Sequence, residues 1–212
     1  MIQTLYNKHP HSTIAIVGSG PSALKYSHAE DIGIALNGAL NLDADFDYFQ
    51  GFDIGICARD YFYKNTKPTR IIGVGLAPMD KILYPDATTR SVVRGHTIRE
   101  TSLGLPTPPH LYFRYEKKTT PNFNRHLQIL SAAGNIVVCS IETALIMGAD
   151  EIHLYGIDLS RRMYFYENVP HGSYIARVSD YVNDQLSMCE DNGVVIKVCR
   201  SKDSAIKIGA DI

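Results

Sequence analysis

The chain has 212 residues, of which 45% are apolar and 20% charged, and its formal net charge is −1. This length and composition predict one folded globular domain over residues 1–212. Because 21 basic residues are balanced by 22 acidic ones, the chain lacks the positive excess with which dedicated nucleic-acid binders hold a phosphate backbone, so we expect no nucleic-acid partner.

Neither a membrane span nor a metal motif stands out in the sequence. No apolar run approaches the roughly 20 residues that cross a bilayer, and residues 1–12 lack the apolar stretch of a signal peptide. The four cysteines, at positions 57, 139, 189 and 199, lack the C-x-x-C spacing of zinc and redox sites. We therefore expect a cytoplasmic protein without a transmembrane segment or metal, whose thiols are reduced and mostly buried.

Short apolar runs recur along the chain and predict strands that are buried on both faces of a parallel sheet. They are Thr13–Val17, Ile32–Leu36, Phe52–Cys57, Arg70–Gly75, Glu151–Tyr155 and Val194–Cys199. Residues 85–121 contain several prolines and little apolar periodicity, so they predict a long irregular insertion.

Three segments between the strands predict helices. The first is Asn122–Ala133. The second is Asn135–Met147, where β-branched residues leave a strand open as an alternative, but Asn135 at the N-cap position and Gly148 just past the end favour a helix. In the third, apolar residues at spacings of 3 and 4 form one helical face: Ile175, Val178, Val182, Leu186 and Cys189.

Strands that alternate with helices predict an α/β protein with a three-layer Rossmann-like fold and a mostly parallel sheet. The turn Gly18-Ser19-Gly20-Pro21-Ser22 follows the first strand, and Gly18-x-Gly20-x-x-Ala23 matches the dinucleotide-binding pattern. Only Ala23–Asp31 separates this turn from the second strand, which ends on Asn37 and not on an acidic residue. A dinucleotide site, a purely structural turn and a different nucleotide pocket remain open, the last with free backbone N–H groups that hold a phosphate or ribose oxygen.

Three segments together carry a resemblance to a known family: Gly18–Ser22, Ala35–Asn37 and Met147–Asp158, which reads M-G-A-D-E-I-H-L-Y-G-I-D. In this order they resemble the bacterial sialyltransferases of the Campylobacter type and, more broadly, motility accessory proteins and archaeal pterin pyrophosphokinases. The resemblance implies a metal-independent glycosyltransferase without a resident cofactor. Its substrates would be a CMP-activated, sialic-acid-like sugar and a glycan or another acceptor with a hydroxyl group.

Carried over by position, the resemblance implies a set of nucleotide-binding residues and a set of catalytic ones. Ser19 and Ser160 depart from the family, which has an asparagine and a tyrosine there, and Asn135 stands where the family has a serine. The nucleotide-binding residues are Gly18, Ser19, Gly20, Pro21, Ser22, Asn37, Asp53, Asn135, Asp158 and Ser160. The catalytic residues are His171 as general base, and Tyr166 and Tyr164 beside the leaving phosphate.

Two other functions on this fold stay open. A pyrophosphokinase-like phosphoryl transferase needs Mg²⁺ held by carboxylates, and Asp53 and Asp158 are the only suitable pair. A non-catalytic nucleotide-binding module is compatible with the departures at Ser19 and Ser160. The sequence is also compatible with a homo-oligomer.

Overall fold

The fold is known from a computed structural model that describes residues 2–51, 61–64, 67–74, 92–93, 96–97, 111–116, 123, 129–131, 135–159, 164–165 and 175–212. The described residues form a nine-stranded sheet in which every pairing is parallel. This confirms the α/β fold with a parallel sheet. Its strands are β1 (Thr13–Val17), β2 (Ile32–Leu36), β3 (Tyr48–Gly51), β4 (Thr69–Val74), β7 (Leu111–Glu116), β8 (Ile129–Ser131), β9 (Glu151–Tyr155), β10 (Val195–Val198) and β11 (Ala210–Asp211), while β5 (Val92–Val93) pairs with β6 (His96–Thr97) in a separate antiparallel ribbon.

The strand order is β11-β10-β9-β1-β2-β3-β4-β7-β8. From β1 the chain moves outward on one side through β2, β3 and β4, and it later returns to place β9 on the other side of β1. In register, Val17 lies opposite Ala35 of β2 and Tyr155 of β9. The carboxyl ends of β1 and β9 therefore form the point at which the strand order reverses, where open α/β sheets bind ligands.

Two long helices, α2 (Ile136–Met147) and α3 (Ile175–Asp191), cover one face of the sheet. Asn135 begins α2 by accepting the Val137 N–H at 2.8 Å, and Gly148 ends it with a φ of 99°, so the predicted helix and both its ends are confirmed. Val178, Val182, Leu186 and Cys189 of α3 are buried as predicted. In the described part of the chain, the other face is covered by short elements: α1 (Tyr61–Lys64) and the 3-10 helices Pro21–Lys25 and Asn37–Asn41.

The N-terminal segment completes the end of α2. Leu5, in a 3-10 helix over Ile2–Leu5, is fully buried. The N–H groups of Asn7, His9 and His11 donate to the carbonyl oxygens of Ile146, Met147 and Gly148 at 2.8–3.0 Å. These carbonyls have no partner within the helix, so residues 2–11 cap its C-terminus.

Three sequence predictions differ from the structure. The predicted helix Asn122–Ala133 is wrong at Ile129–Ser131, which is β8, and the predicted irregular stretch 85–121 contributes β7 to the main sheet. The third strand is β3, directly before the predicted Phe52–Cys57, which lies outside the described residues. Each of these strands depends on hydrogen bonds to distant neighbours, which local sequence patterns do not reveal.

The described residues bear on two further predictions, the buried thiols and the absence of a transmembrane helix. Cys139, Cys189 and Cys199 are free and buried, as expected, while Cys57 lies outside the described residues. None of the helices in the described segments is both long enough and apolar enough to span a bilayer.

Candidate functional site

Two glycine-containing turns meet at the carboxyl ends of β1 and β9. The N–H of Gly18 donates to the Tyr155 carbonyl at 2.7 Å, and the N–H of Gly20 donates to the Gly156 carbonyl at 2.8 Å. A Cβ atom on Gly18 would lie 2.5 Å from the Gly156 oxygen, well inside van der Waals contact. The two turns therefore pack backbone against backbone, and only glycine permits this approach.

Asp158 closes the turn that follows β1. Its Oδ2 accepts the N–H of Ser22 at 3.1 Å and the hydroxyl at 3.0 Å, and its Oδ1 accepts the N–H of Ser201 at 2.9 Å. The Ser22 hydroxyl oxygen in turn accepts the Gly156 N–H at 2.9 Å. With only 2% of its surface exposed, Asp158 ties together the chain segments that follow β1, β9 and β10.

These contacts correct one expectation about the glycine turn. The N–H groups of Gly18, Gly20 and Ser22 already donate within the chain, so they are not free to hold a phosphate. Both oxygens of Asp158 already accept hydrogen bonds, which makes it a poor ligand for Mg²⁺. Within the described ranges, no group of three or more His, Cys, Asp or Glu side chains could hold a metal ion.

Asn37 lies at the same edge of the sheet, directly after β2. Its φ of 48° is in the left-handed region, which is uncommon for a residue other than glycine. Its Oδ1 atom is buried and accepts no hydrogen bond from any described residue. An unsatisfied buried acceptor costs about 1–3 kcal/mol, and such costs are concentrated where a ligand relieves them.

The N-terminus of α2 points to this edge as well. Because β8 and β9 run parallel, α2 must begin at the carboxyl edge of the sheet and end at the amino edge. The half-buried side chain of Asn135 caps the helix, because its Oδ1 accepts the Val137 N–H at 2.8 Å. The partial positive charge of the helix N-terminus therefore lies at the same carboxyl edge of the sheet as Asn37.

One predicted catalytic residue is described, and it lies beside the glycine turn. The N–H of Phe165 donates to the Ser19 carbonyl at 3.0 Å, which brings its neighbour Tyr164 close to that turn. Tyr164 is half-buried. The predicted residues Asp53, Ser160, Tyr166 and His171 lie outside the described residues, so their roles stay predictions.

Sequence reasoning missed a cluster of charged groups on the sheet face opposite the long helices. We call it the imidazole cluster, and it comprises Glu30, Glu151, His153, Tyr155 and Lys197. His153 contacts Glu30 through Nδ1 at 2.7 Å and Glu151 through Nε2 at 2.5 Å. The alternation of residues 151, 153 and 155 on β9 places their side chains on one face, but Glu30 is distant in sequence and no local pattern connects it to them.

The hydrogen bonds of the imidazole cluster shift its titrations. Burial disfavours the charged imidazolium, but the bonds to Glu30 and Glu151 outweigh burial and raise the pKa of His153 above its ordinary value. Burial of Glu30 is likewise outweighed by the bonds from His153 and Tyr155, which lower its pKa. The bonds from Lys197 and His153 lower the pKa of Glu151.

No protein-family model matches the chain, and no curated protein or solved structure is significantly similar to it. A functional assignment therefore rests on the residues at the carboxyl edge. These are an unsatisfied amide oxygen at Asn37, a helix N-terminus at Asn135 and a tyrosine beside the turn at Tyr164. Together they offer an acceptor for ligand N–H or O–H groups and partial positive charge for an anion.

Proposed function

We propose that the protein is a metal-independent glycosyltransferase that moves a sialic-acid-like sugar from a CMP-activated donor to an acceptor hydroxyl. The nucleotide binds at the carboxyl edge of the sheet, beside β1, β2 and β9. The observation that supports this proposal most is Asn37, which holds a left-handed backbone and a buried amide oxygen without a partner among the described residues.

An amide oxygen is an acceptor, so it selects a ligand group that donates. The amino group of cytosine and the ribose hydroxyls are such donors, whereas uracil carries a carbonyl oxygen where cytosine has its amino group. A ligand group that donates a hydrogen bond to Asn37 Oδ1 removes the free-energy cost of this unsatisfied acceptor, but it does so only in the bound state. Asn37 therefore favours nucleotide binding at a cost to the stability of the free protein.

The phosphate of the donor needs partners other than the occupied N–H groups of the glycine turn. In this proposal it faces the N-terminus of α2 at Asn135 and accepts hydrogen bonds from the hydroxyls of Tyr164 and Tyr166. Residues Gly18–Ser22 form the wall of the pocket, and Asp158 holds that wall in place. Asp53 and Ser160 complete the predicted nucleotide-binding set.

The transfer step itself needs a base and a stabilised leaving group. The acceptor oxygen forms a bond to the anomeric carbon of the sugar while the bond from that carbon to the phosphate oxygen breaks. The acceptor proton passes to His171, and the electron pair leaves on CMP, which is a stable anion. This chemistry requires positioning and charge stabilisation but no metal.

The first experiment measures the melting temperature with CMP, UMP and AMP in the presence of EDTA. A ligand that binds only the folded state raises the melting temperature, and we expect CMP to do so. Asn37→Gly should melt higher than the wild type without ligand, because glycine adopts a φ of 48° without strain. The same variant should show a smaller shift with CMP, because it lacks the amide.

Asn41→Ala is the matched control. Asn41 belongs to the same 3-10 helix, where its Nδ2 donates to the Gly38 carbonyl at 3.1 Å. We expect this variant to lower the melting temperature and to keep the full CMP shift. Equal CMP affinity in the wild type and in Asn37→Gly would contradict the assignment of this pocket.

The second experiment tests the chemistry. His171→Ala should lose a factor of about 10²–10⁴ in turnover with CMP-sialic acid and a glycan acceptor, while CMP binding stays unchanged. Wild-type turnover in this variant would show that another group is the base. CMP binding without transfer in the wild type would identify a non-catalytic nucleotide-binding module.

A further inference from the structure

His153 is held between two carboxylates. Its Nδ1 lies 2.7 Å from Glu30 Oε1, and its Nε2 lies 2.5 Å from Glu151 Oε1. An ionised carboxylate only accepts hydrogen bonds, so both ring nitrogens must carry a proton for both bonds to form. The geometry is therefore that of an imidazolium. A neutral ring has a single N–H and could donate to only one of the two carboxylates.

Lys197 and Tyr155 complete the surroundings of the two carboxylates. The Lys197 ammonium lies 2.6 Å from Glu151 Oε1, and the Tyr155 hydroxyl donates to Glu30 Oε1 at 2.7 Å. Only 3% of the Glu30 side chain is exposed. Loss of the His153 proton would leave two carboxylates facing one ammonium, with the Glu30 charge almost out of reach of water.

The remaining neighbours of the cluster do not replace that proton. On β1 the residue opposite His153 is Ala15, which carries no charge. Asp31 accepts the N–H of Thr13, the residue opposite Glu151, at 2.8 Å and supplies no cation. The Tyr26 ring packs against Tyr155, and burial raises the pKa values of Tyr26 and of the Cys199 thiol, so both stay neutral near neutral pH.

Glu30 lies near the end of the segment that begins with the glycine turn. This segment, Gly18–Asp31, connects β1 to β2. Tyr155 holds both of its ends, because its carbonyl accepts the Gly18 N–H at 2.7 Å and its hydroxyl donates to Glu30. A change at Glu30 is therefore a change in the attachment of the segment that forms the wall of the candidate site.

We propose that His153 is a pH-dependent latch: its protonated form strengthens the attachment of the Glu30 end of the segment Gly18–Asp31 to β9, and deprotonation weakens that attachment, while the Tyr155 hydroxyl still donates to Glu30. The latch follows from the contacts of the imidazole cluster alone. Its consequence, weaker nucleotide binding at higher pH, rests in addition on the proposed function.

The direction of the effect follows from the titration of His153. Its pKa is raised in the folded protein above the ordinary value of 6.5, by hydrogen bonds that outweigh burial. The stabilisation is therefore complete below about pH 6.5 and is lost as the pH rises through the raised pKa. Because opening is linked to the loss of one proton, the equilibrium constant for opening rises by at most about tenfold for each pH unit in that window.

The test compares the wild type with His153→Gln between pH 6 and 8.5, without nucleotide. Hydrogen exchange of residues 23–31, corrected for intrinsic rates, should show protection that falls with rising pH in the wild type and is constant in His153→Gln. His11→Gln is the matched control, because His11 pairs with a single carboxylate, Asp150, at 2.8 Å on the exposed surface. This control should keep the wild-type pH dependence.

An NMR titration of the wild-type His153 ring keeps the test decisive if His153→Gln does not fold. A midpoint above 6.5 together with falling protection of residues 23–31 supports the latch. A midpoint at or below 6.5, or protection of residues 23–31 that does not change through the midpoint, would overturn it. Because no nucleotide is present, a failure of the proposed function does not affect this result.

Discussion

The carboxylate of Asp158 holds Ser22, 136 positions earlier in the chain, by both its backbone N–H and its hydroxyl. In many nucleotide-binding folds the turn after the first strand keeps such donors for a phosphate. Here an acidic side chain of the chain itself occupies them. The N–H groups of Gly18, Gly20 and Ser22 are thus occupied within the chain, whereas a buried acceptor without a partner among the described residues follows the next strand, at Asn37.

Replacing Asp158 should destabilise the protein strongly. Asp158→Ala leaves the N–H groups of the buried Ser22 and the half-buried Ser201 without their acceptor, which should lower the free energy of unfolding by about 2–4 kcal/mol. Urea unfolding measures this change. Asp184→Ala, on the exposed side of α3, is the control and should stay within about 0.5 kcal/mol of the wild type. Equal stabilities of the two variants would show that the Asp158 contacts contribute little.

A comparison of two glycines separates steric contact from backbone strain. Gly156 and Gly193 both have positive φ, 63° and 82°, but a Cβ on Gly156 would lie 2.5 Å from the Gly18 oxygen, while nothing lies within 4 Å of one on Gly193. Gly193→Ala should therefore cost only the left-handed strain, about 1–2 kcal/mol. Gly156→Ala should lower the melting temperature much more, and similar melting temperatures for both variants would contradict the close packing of the turns.

The N-terminal segment should behave as part of the core. Leu5 is fully buried, whereas Leu24 is 67% exposed. Leu5→Ala should lower the free energy of unfolding by about 2–5 kcal/mol, because it leaves a cavity beside α2. Leu24→Ala removes the same atoms from the surface and should change stability little, as denaturant unfolding of both variants will show. A small effect of Leu5→Ala would mean that residues 2–11 do not contribute to the core.

The acid side of the stability profile should report on Glu30. Hydrogen bonds from His153 and Tyr155 outweigh burial and lower its pKa below the ordinary 4.5, so its stabilisation is present above pH 4.5 and is lost as the pH falls through the lowered value. In Glu30→Gln the melting temperature should fall less steeply with acidification than in the wild type. Glu190→Gln, an exposed change on α3, should retain the wild-type slope.

Elements with strong local signals were predictable. The apolar runs of β1, β2, β9 and β10 mark buried strands wherever they lie in the sheet. The N-cap at Asn135 and the left-handed Gly148 act within one turn of α2, so the neighbouring residues reveal them. In contrast, Ile129–Ser131 has helix-compatible apolar residues, and it becomes a strand because β7 offers hydrogen bonds along its length.

The candidate site likewise combines features that the sequence predicts with features that only the tertiary structure shows. The position of Asn37 at the end of a strand is visible in the sequence, and so is its resemblance to a nucleotide-contacting asparagine. Its left-handed backbone and orphaned oxygen are visible only in three dimensions. Asp158 is a candidate site residue in the sequence, but the groups of Ser22 and Ser201 that it binds are visible only in the structure.

The amino-acid sequence by itself determined the α/β class, the ends of α2, the apolar face of α3 and the glycine turn, because each depends on contacts between residues close along the chain. Tertiary structure alone decided that Asp158 fills this turn and that His153 lies between Glu30 and Glu151. These partners meet through the strand order β10-β9-β1-β2, which brings together segments more than 100 residues apart. Their contacts are set by the register of parallel strands, and register is a property of the whole sheet.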